Sequence, residues 1–129
     1  MLSKYQIRDL KKTLDDRFFD LLEEIRLELL KTEDHTYIAL AGRVNDTGEA
    51  SVADLLVDIQ LADIDRHTQE IRDIDAALLR MATGNYGVCD NCQTSIAIER
   101  LQAYPTAKRC HRCQVKHEHT YAGTIGPSM

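Results

Sequence analysis

Two cysteine pairs, Cys89-Asp90-Asn91-Cys92 and Cys110-His111-Arg112-Cys113, constrain this 129-residue chain more than any other feature. Seventeen residues separate the pairs, a spacing that reads as a metal site. Two residues between ligands let a tight turn aim both sulfurs at one ion, and the longer excursion brings the second turn round to close a tetrahedron. All four positions are cysteine, so no coordination position stays open for water. The expected cofactor is therefore one structural Zn²⁺, held by Cys89, Cys92, Cys110 and Cys113. Lys108, Arg109 and Arg112 are placed to soften the charge of four thiolates around it. His111, His117 and His119 are alternative ligands, and their expected place is the solvated surface. Two rival readings of the cysteines remain: a pair of redox-active thiol couples, or a zinc ribbon that binds nucleic acid or another protein through residues 96–116.

The compartment supports metal over disulfide. The start, MLSKYQIRDLKK, is charged and has no apolar core of a signal peptide. No apolar run approaches the roughly 20 residues that cross a bilayer. A cytoplasmic protein is expected, where thiols stay reduced.

The chain divides near Gly84. Residues 1–83 carry 18 acidic and 11 basic residues, hold no proline, and have a net charge of −7. Residues 84–129 hold all four cysteines and both prolines, with a net charge of +2. The overall charge of −5 argues against a protein that coats DNA phosphates.

The first segment reads as helix. Ile7, Leu10, Leu14, Phe18, Leu21, Ile25 and Leu29 recur at steps of three and four. Ser3 and Gln6 have the spacing of a capping box. YIALAG (37–42) is a less charged stretch placed to continue the helix, and GRVNDTG (42–48) is the first strong breaker. A second run restarts at Asp46 or Thr47, and Asp46 and Glu49 have capping-box spacing. Ile64, His67, Ile71, Ile74, Leu78 and Met81 then form a heptad that ends at Thr83-Gly84. His67 on this seam is expected to set register or pack at the rim. The fold class is mainly α: a long antiparallel helical hairpin, a coiled coil, followed by a small C-terminal four-cysteine zinc finger. Residues 1–83 make the hairpin with its tip at 42–49, residues 84–121 the finger and a short C-terminal helix, and 122–129 a flexible tail. Each arm would be roughly 45 Å long at about 1.5 Å per residue. No Ser/His/Asp arrangement, pocketed carboxylate pair or phosphate-cradling glycine loop suggests an enzyme.

The segment GNYGVCDNCQTSIAIERLQAYPTAKRCHRCQ (84–114) resembles the zinc finger of the DksA/TraR family of bacterial transcription regulators. The resemblance rests on Gly84, Tyr86, Gly87, Cys89, Cys92, Ile96, Arg100, Leu101, Ala103, Pro105, Ala107, Cys110 and Cys113. It implies a regulator that binds bacterial RNA polymerase, not promoter DNA, with a coiled coil in the enzyme's secondary channel and acidic tip residues near its catalytic region. Asp46, Glu49 and Ser51 stand where the family has D-x-x-D-x-A. The second acid is one methylene longer, and the alanine is replaced. The positions aligned with the family's basic contacts to the alarmone ppGpp hold Asp73, Tyr104 and Gln114, so ppGpp binding is expected to be weak or absent. Gln93 replaces the family's glycine after the second cysteine, at a cost of roughly 1 kcal/mol if that position has positive φ. Arg100 and Arg109 are expected to pair with acids at the coil base, and Tyr86 and Tyr104 to pack there. A monomer is expected.

Overall fold

The computed structural model describes residues 2–44, 52, 54–56, 59 and 61–125. The tip candidates Asp46, Glu49 and Ser51, and most of the expected tip at 42–49, lie outside the described residues.

Helix α1, Lys4–Lys31, begins at the capping box expected from its sequence. The Gln6 amide donates to Ser3 Oγ at 3.1 Å, and the Ser3 amide donates to Gln6 Oε1 at 2.8 Å. Two donors that a helix start leaves unpaired are thereby satisfied. One face of α1 buries Leu10, Leu14, Phe18, Leu21, Ile25 and Leu29. Ile7, expected on the same face, is only half-buried.

The helix stops earlier than its sequence pattern suggests. Thr32 caps α1, its hydroxyl donating to the Leu29 carbonyl at 2.7 Å. Glu33 takes a left-handed φ of 57°, and Asp34 starts a new helix, its carboxylate accepting from the Thr36 amide at 2.8 Å. Helix α2 is His35–Val44. YIALAG thus belongs to a second helix and does not continue α1. The physical reason is that Thr and Asp bond nearby backbone groups and so compete with the helical ladder. No glycine or proline was needed.

Helix α3, Ala62–Thr83, returns antiparallel to α1. Numbering runs in opposite senses across the pair: Arg17 meets Glu70, and Glu24 lies opposite His67. Ile64, Ile71, Ile74 and Ala77 are fully buried, and Thr68 nearly so. Thr68 and Ala77 thus sit deeper than the heptad's His67 and Leu78, which are half-buried. His67 sits at the rim with Nδ1 3.7 Å from Glu24 Oε2. Arg17 holds Glu70 through two bonds, one of 3.0 Å, and this draws the Glu70 carboxyl below its ordinary range against the opposing effect of burial. Ala41, Val44, Val52, Leu56 and Ile59 complete the same apolar core beyond Leu29 and Ile64.

Gly84 ends α3 in the left-handed region with φ 79°, as its sequence position suggests. Two short helices follow in the cysteine-bearing segment, α4 (Ile98–Ala103) and α5 (His111–Ile125). Helix α5 runs past Tyr121, where the sequence placed the start of a tail; no proline interrupts it before Pro127. No β-strand forms among the described residues beyond one isolated bridge, Val88 with Ser95.

Candidate metal centre

The first cysteine pair is built by a backbone hairpin over residues 87–96. The Ile96 amide donates to the Gly87 carbonyl at 2.8 Å, the Cys89 amide to the Thr94 carbonyl at 2.8 Å, and the Gln93 amide to the Cys89 carbonyl at 3.0 Å. This closes a tight turn over Cys89 to Cys92. The turn requires Gln93 at φ 63°. A side chain there costs about 1 kcal/mol relative to glycine. The Gln93 amide group offsets part of that by donating to the Asp90 carbonyl at 3.0 Å. Gln93→Gly is expected to stabilise the zinc-loaded protein by up to about 1 kcal/mol in urea unfolding. A loss of stability would show that the side-chain bond outweighs the backbone strain.

The second pair straddles the start of α5. Cys110 precedes the helix, Cys113 lies in its first turn, and the Cys113 amide donates to Cys110 Sγ at 3.5 Å. A helix start presents free N–H groups and a partial positive charge, which favours thiolates. The Asp90 amide donates to the Lys108 carbonyl at 2.9 Å and so ties the two pairs together. Arg100 adds a second tie, donating from Nε to the Arg109 carbonyl at 2.9 Å.

Together these elements bring the four sulfurs within 4.8 Å of one another. Cys92 Sγ and Cys110 Sγ stand 3.8 Å apart. Sulfurs bound at about 2.3 Å to one tetrahedral ion stand about 3.8 Å apart, so the arrangement fits zinc. Cys89 and Cys113 are buried, and Cys92 is exposed.

The electrostatics point the same way. Burial works to raise the Cys89 thiol, but the backbone groups of Cys92, Cys110 and Asn91 outweigh it and bring Cys89 down to about 6. The Thr94 hydroxyl, 2.9 Å from the sulfur, lowers Cys92. Neighbouring Cys110, then burial, then Cys89 and Cys92 push Cys113 up to about 12. Thiols this close do not all ionise without a cation between them, and a divalent ion reverses that opposition.

Several expectations about neighbouring residues need correction. Arg100 and Arg109 do not reach acids at the coil base. Arg100 is spent on the Arg109 carbonyl and stacks 5.7 Å above the Tyr104 ring. Arg109 donates to Gln114 Oε1 at 3.5 Å. Both are held by partners inside the cysteine module. Tyr104 does not pack on the coil base; it is 62% exposed. Tyr86 is buried as expected, and burial pushes its hydroxyl up to about 12. The sequence reading missed Arg80, which reaches from α3 into the cysteine module; its place in the last turn of α3 was the available signal.

Residues 84–119 match the prokaryotic dksA/traR C4-type zinc finger. That segment contains all four cysteines, and the ion it carries is one structural zinc. The chain is similar to YteA of Bacillus subtilis, 32% identical over 117 residues that cover 83% of this chain and 47% of that protein. It is also similar to the RNA polymerase-binding transcription factor DksA of Buchnera aphidicola, 28% identical over 117 residues that cover 91% of this chain and 74% of that protein. The chain thus spans about half the length of the first relative and about three quarters of the second. The solved structure of transcription factor DksA2 from Pseudomonas aeruginosa is 29% identical, with 87% of this chain and 88% of that one covered and a TM-score of 0.46. Among the described residues, no helix is long and apolar enough to cross a membrane.

Proposed function

This chain belongs to the DksA/TraR zinc-finger family, and from that membership we propose that it is a transcription regulator that acts by binding bacterial RNA polymerase. The observation that carries the reading is the joining of a four-cysteine zinc cluster to an antiparallel helix pair in one chain. Relatives of this chain include proteins named RNA polymerase-binding transcription factor DksA. Cys89, Cys92, Cys110 and Cys113 hold the zinc, and the ion has a structural role. The helical hairpin enters the secondary channel, where a narrow acidic body fits a confined passage better than a flat interface does. Asp46, Glu49 and Ser51 form the part of the tip that approaches the enzyme's catalytic region.

The reading includes no alarmone site at the junction of finger and coil, because Asp73, Tyr104 and Gln114 supply no cation for a phosphate. It involves no specific DNA contact and a monomeric chain.

A polymerase-binding assay with wild type and an Asp46→Asn/Glu49→Gln double variant tests this, followed by transcription in vitro with and without ppGpp. The expected result is retained binding with lost transcriptional effect in the variant, and no dependence on ppGpp. Absence of binding by the wild type overturns the polymerase reading. Full transcriptional effect in the variant removes the tip from it.

A further inference from the structure

Hydrogen bonds on the α3 side hold the zinc finger at an angle to the helices. On the α1 side the contact is apolar, with Leu2 set close against Gly87. A hollow of about 390 Å³ lies between Leu2 and Ile7 of the N-terminal segment and Tyr86, Val88 and Ile96 of the finger. A second of about 270 Å³ lies between Leu10 and Thr13 of α1 and Ile98 and Gln102 at α4. Apolar contact of this kind has no preferred direction.

On the α3 side the contact is directional. The Tyr86 hydroxyl donates to the Pro105 carbonyl at 2.8 Å. Arg80 Nη2 donates to the next carbonyl, that of Thr106, at 3.3 Å. The two donors are coupled at their roots, because the Arg80 carbonyl accepts from the Asn85 and Tyr86 amides at 2.8 and 3.1 Å. Their target is itself a closed turn, with the Ala107 amide donating to the Tyr104 carbonyl at 2.9 Å. Two adjacent points on one turn are gripped by Arg80 of α3 and by Tyr86, a finger residue whose amide is bonded to the Arg80 carbonyl, and this removes the hinge that a single bond leaves.

We propose that Arg80 and Tyr86 are positioning residues, a two-point clamp on the consecutive carbonyls of Pro105 and Thr106 that fixes the zinc finger's angle on α3. The clamp touches no zinc ligand, so its loss leaves the ion in place. Its consequence, that the helices and finger meet one partner as a single rigid body, rests on the polymerase reading; the clamp itself does not.

The test is orientational. Backbone residual dipolar couplings are measured on the zinc-loaded full chain, as wild type and as an Arg80→Met/Tyr86→Phe double variant that keeps the apolar bulk of both side chains. The wild type is expected to fit one alignment tensor for α1, α3 and the finger. The double variant is expected to keep one zinc per chain and a folded spectrum, but to need two tensors, with lower alignment magnitude in the finger. A single tensor in the double variant overturns the clamp, as do two tensors in the wild type. If the double variant loses zinc, Tyr86→Phe alone decides: a changed finger orientation upholds the clamp and an unchanged one overturns it. A wild type that does not bind polymerase ends the previous section's reading and leaves this result standing.

Discussion

Removing zinc with a chelator is expected to unfold residues 84–119 and to leave α1 and α3 paired. Apart from its cysteines, this module buries few apolar side chains: Tyr86, Ile96 and Leu101. Each contributes about 1.5–3 kcal/mol. Those contributions are small beside the backbone entropy lost on folding such a segment, and a structural zinc supplies more than the three side chains together, an apparent ~10–16 kcal/mol. The measurement is an amide correlation spectrum before and after chelation, with zinc quantified in parallel. Signals of Cys89, Ile96, Leu101 and Cys113 are expected to collapse toward random-coil positions, while those of Leu14, Leu21, Ile71 and Ile74 keep their dispersion. Cys113→Ser is expected to reproduce the collapse. A finger spectrum unchanged after complete loss of zinc would refute the structural role of the ion.

The second large effect lies in the helix pair. Ile71→Ala is expected to cost about 2–5 kcal/mol, because Ile71 is fully buried and the seam between two helices has little depth to close over a cavity. That is a large share of the roughly 5–15 kcal/mol by which ordinary domains are stable. Leu79→Ala, on the outer face of the same helix and 66% exposed, is expected to change stability by about 0.5 kcal/mol or less. Urea unfolding of the zinc-loaded chain, followed by helical circular dichroism, compares the two. Equal midpoints would mean that α3 does not bury the face described above.

What was legible in the sequence was local. The capping box at Ser3 and Gln6, the C-terminal glycine at 84 and the two cysteine turns each involve residues a few positions apart, and each forms as its spacing suggests. The positive φ at Gln93 was legible too, through the glycine expected in its place. The break at Thr32–Asp34 was not, because cap-forming residues also occur on exposed helical faces, and only the competition with the ladder decides between them. The deeper burial of Thr68 and Ala77 depended on how α3 is rotated against α1, which a heptad count fixes only to within one position. The destinations of Arg80, Arg100 and Arg109 lay beyond sequence reasoning altogether. An arginine side chain reaches several carbonyls and carboxylates at once, and tertiary geometry selects among them.

The interruption after Lys31 faces the start of α3 across the seam, since Lys31, Thr32, Leu61 and Asp63 line one shallow hollow. Helical backbone bonding therefore lapses in both arms at one level: α1 has ended, and Leu61 is still extended. A load applied beyond that level is not carried down the arms by peptide ladders. Side chains such as Leu29 and Ile64 couple the arms there, and the stiffness of the pair at that level depends on how tightly those few groups interlock.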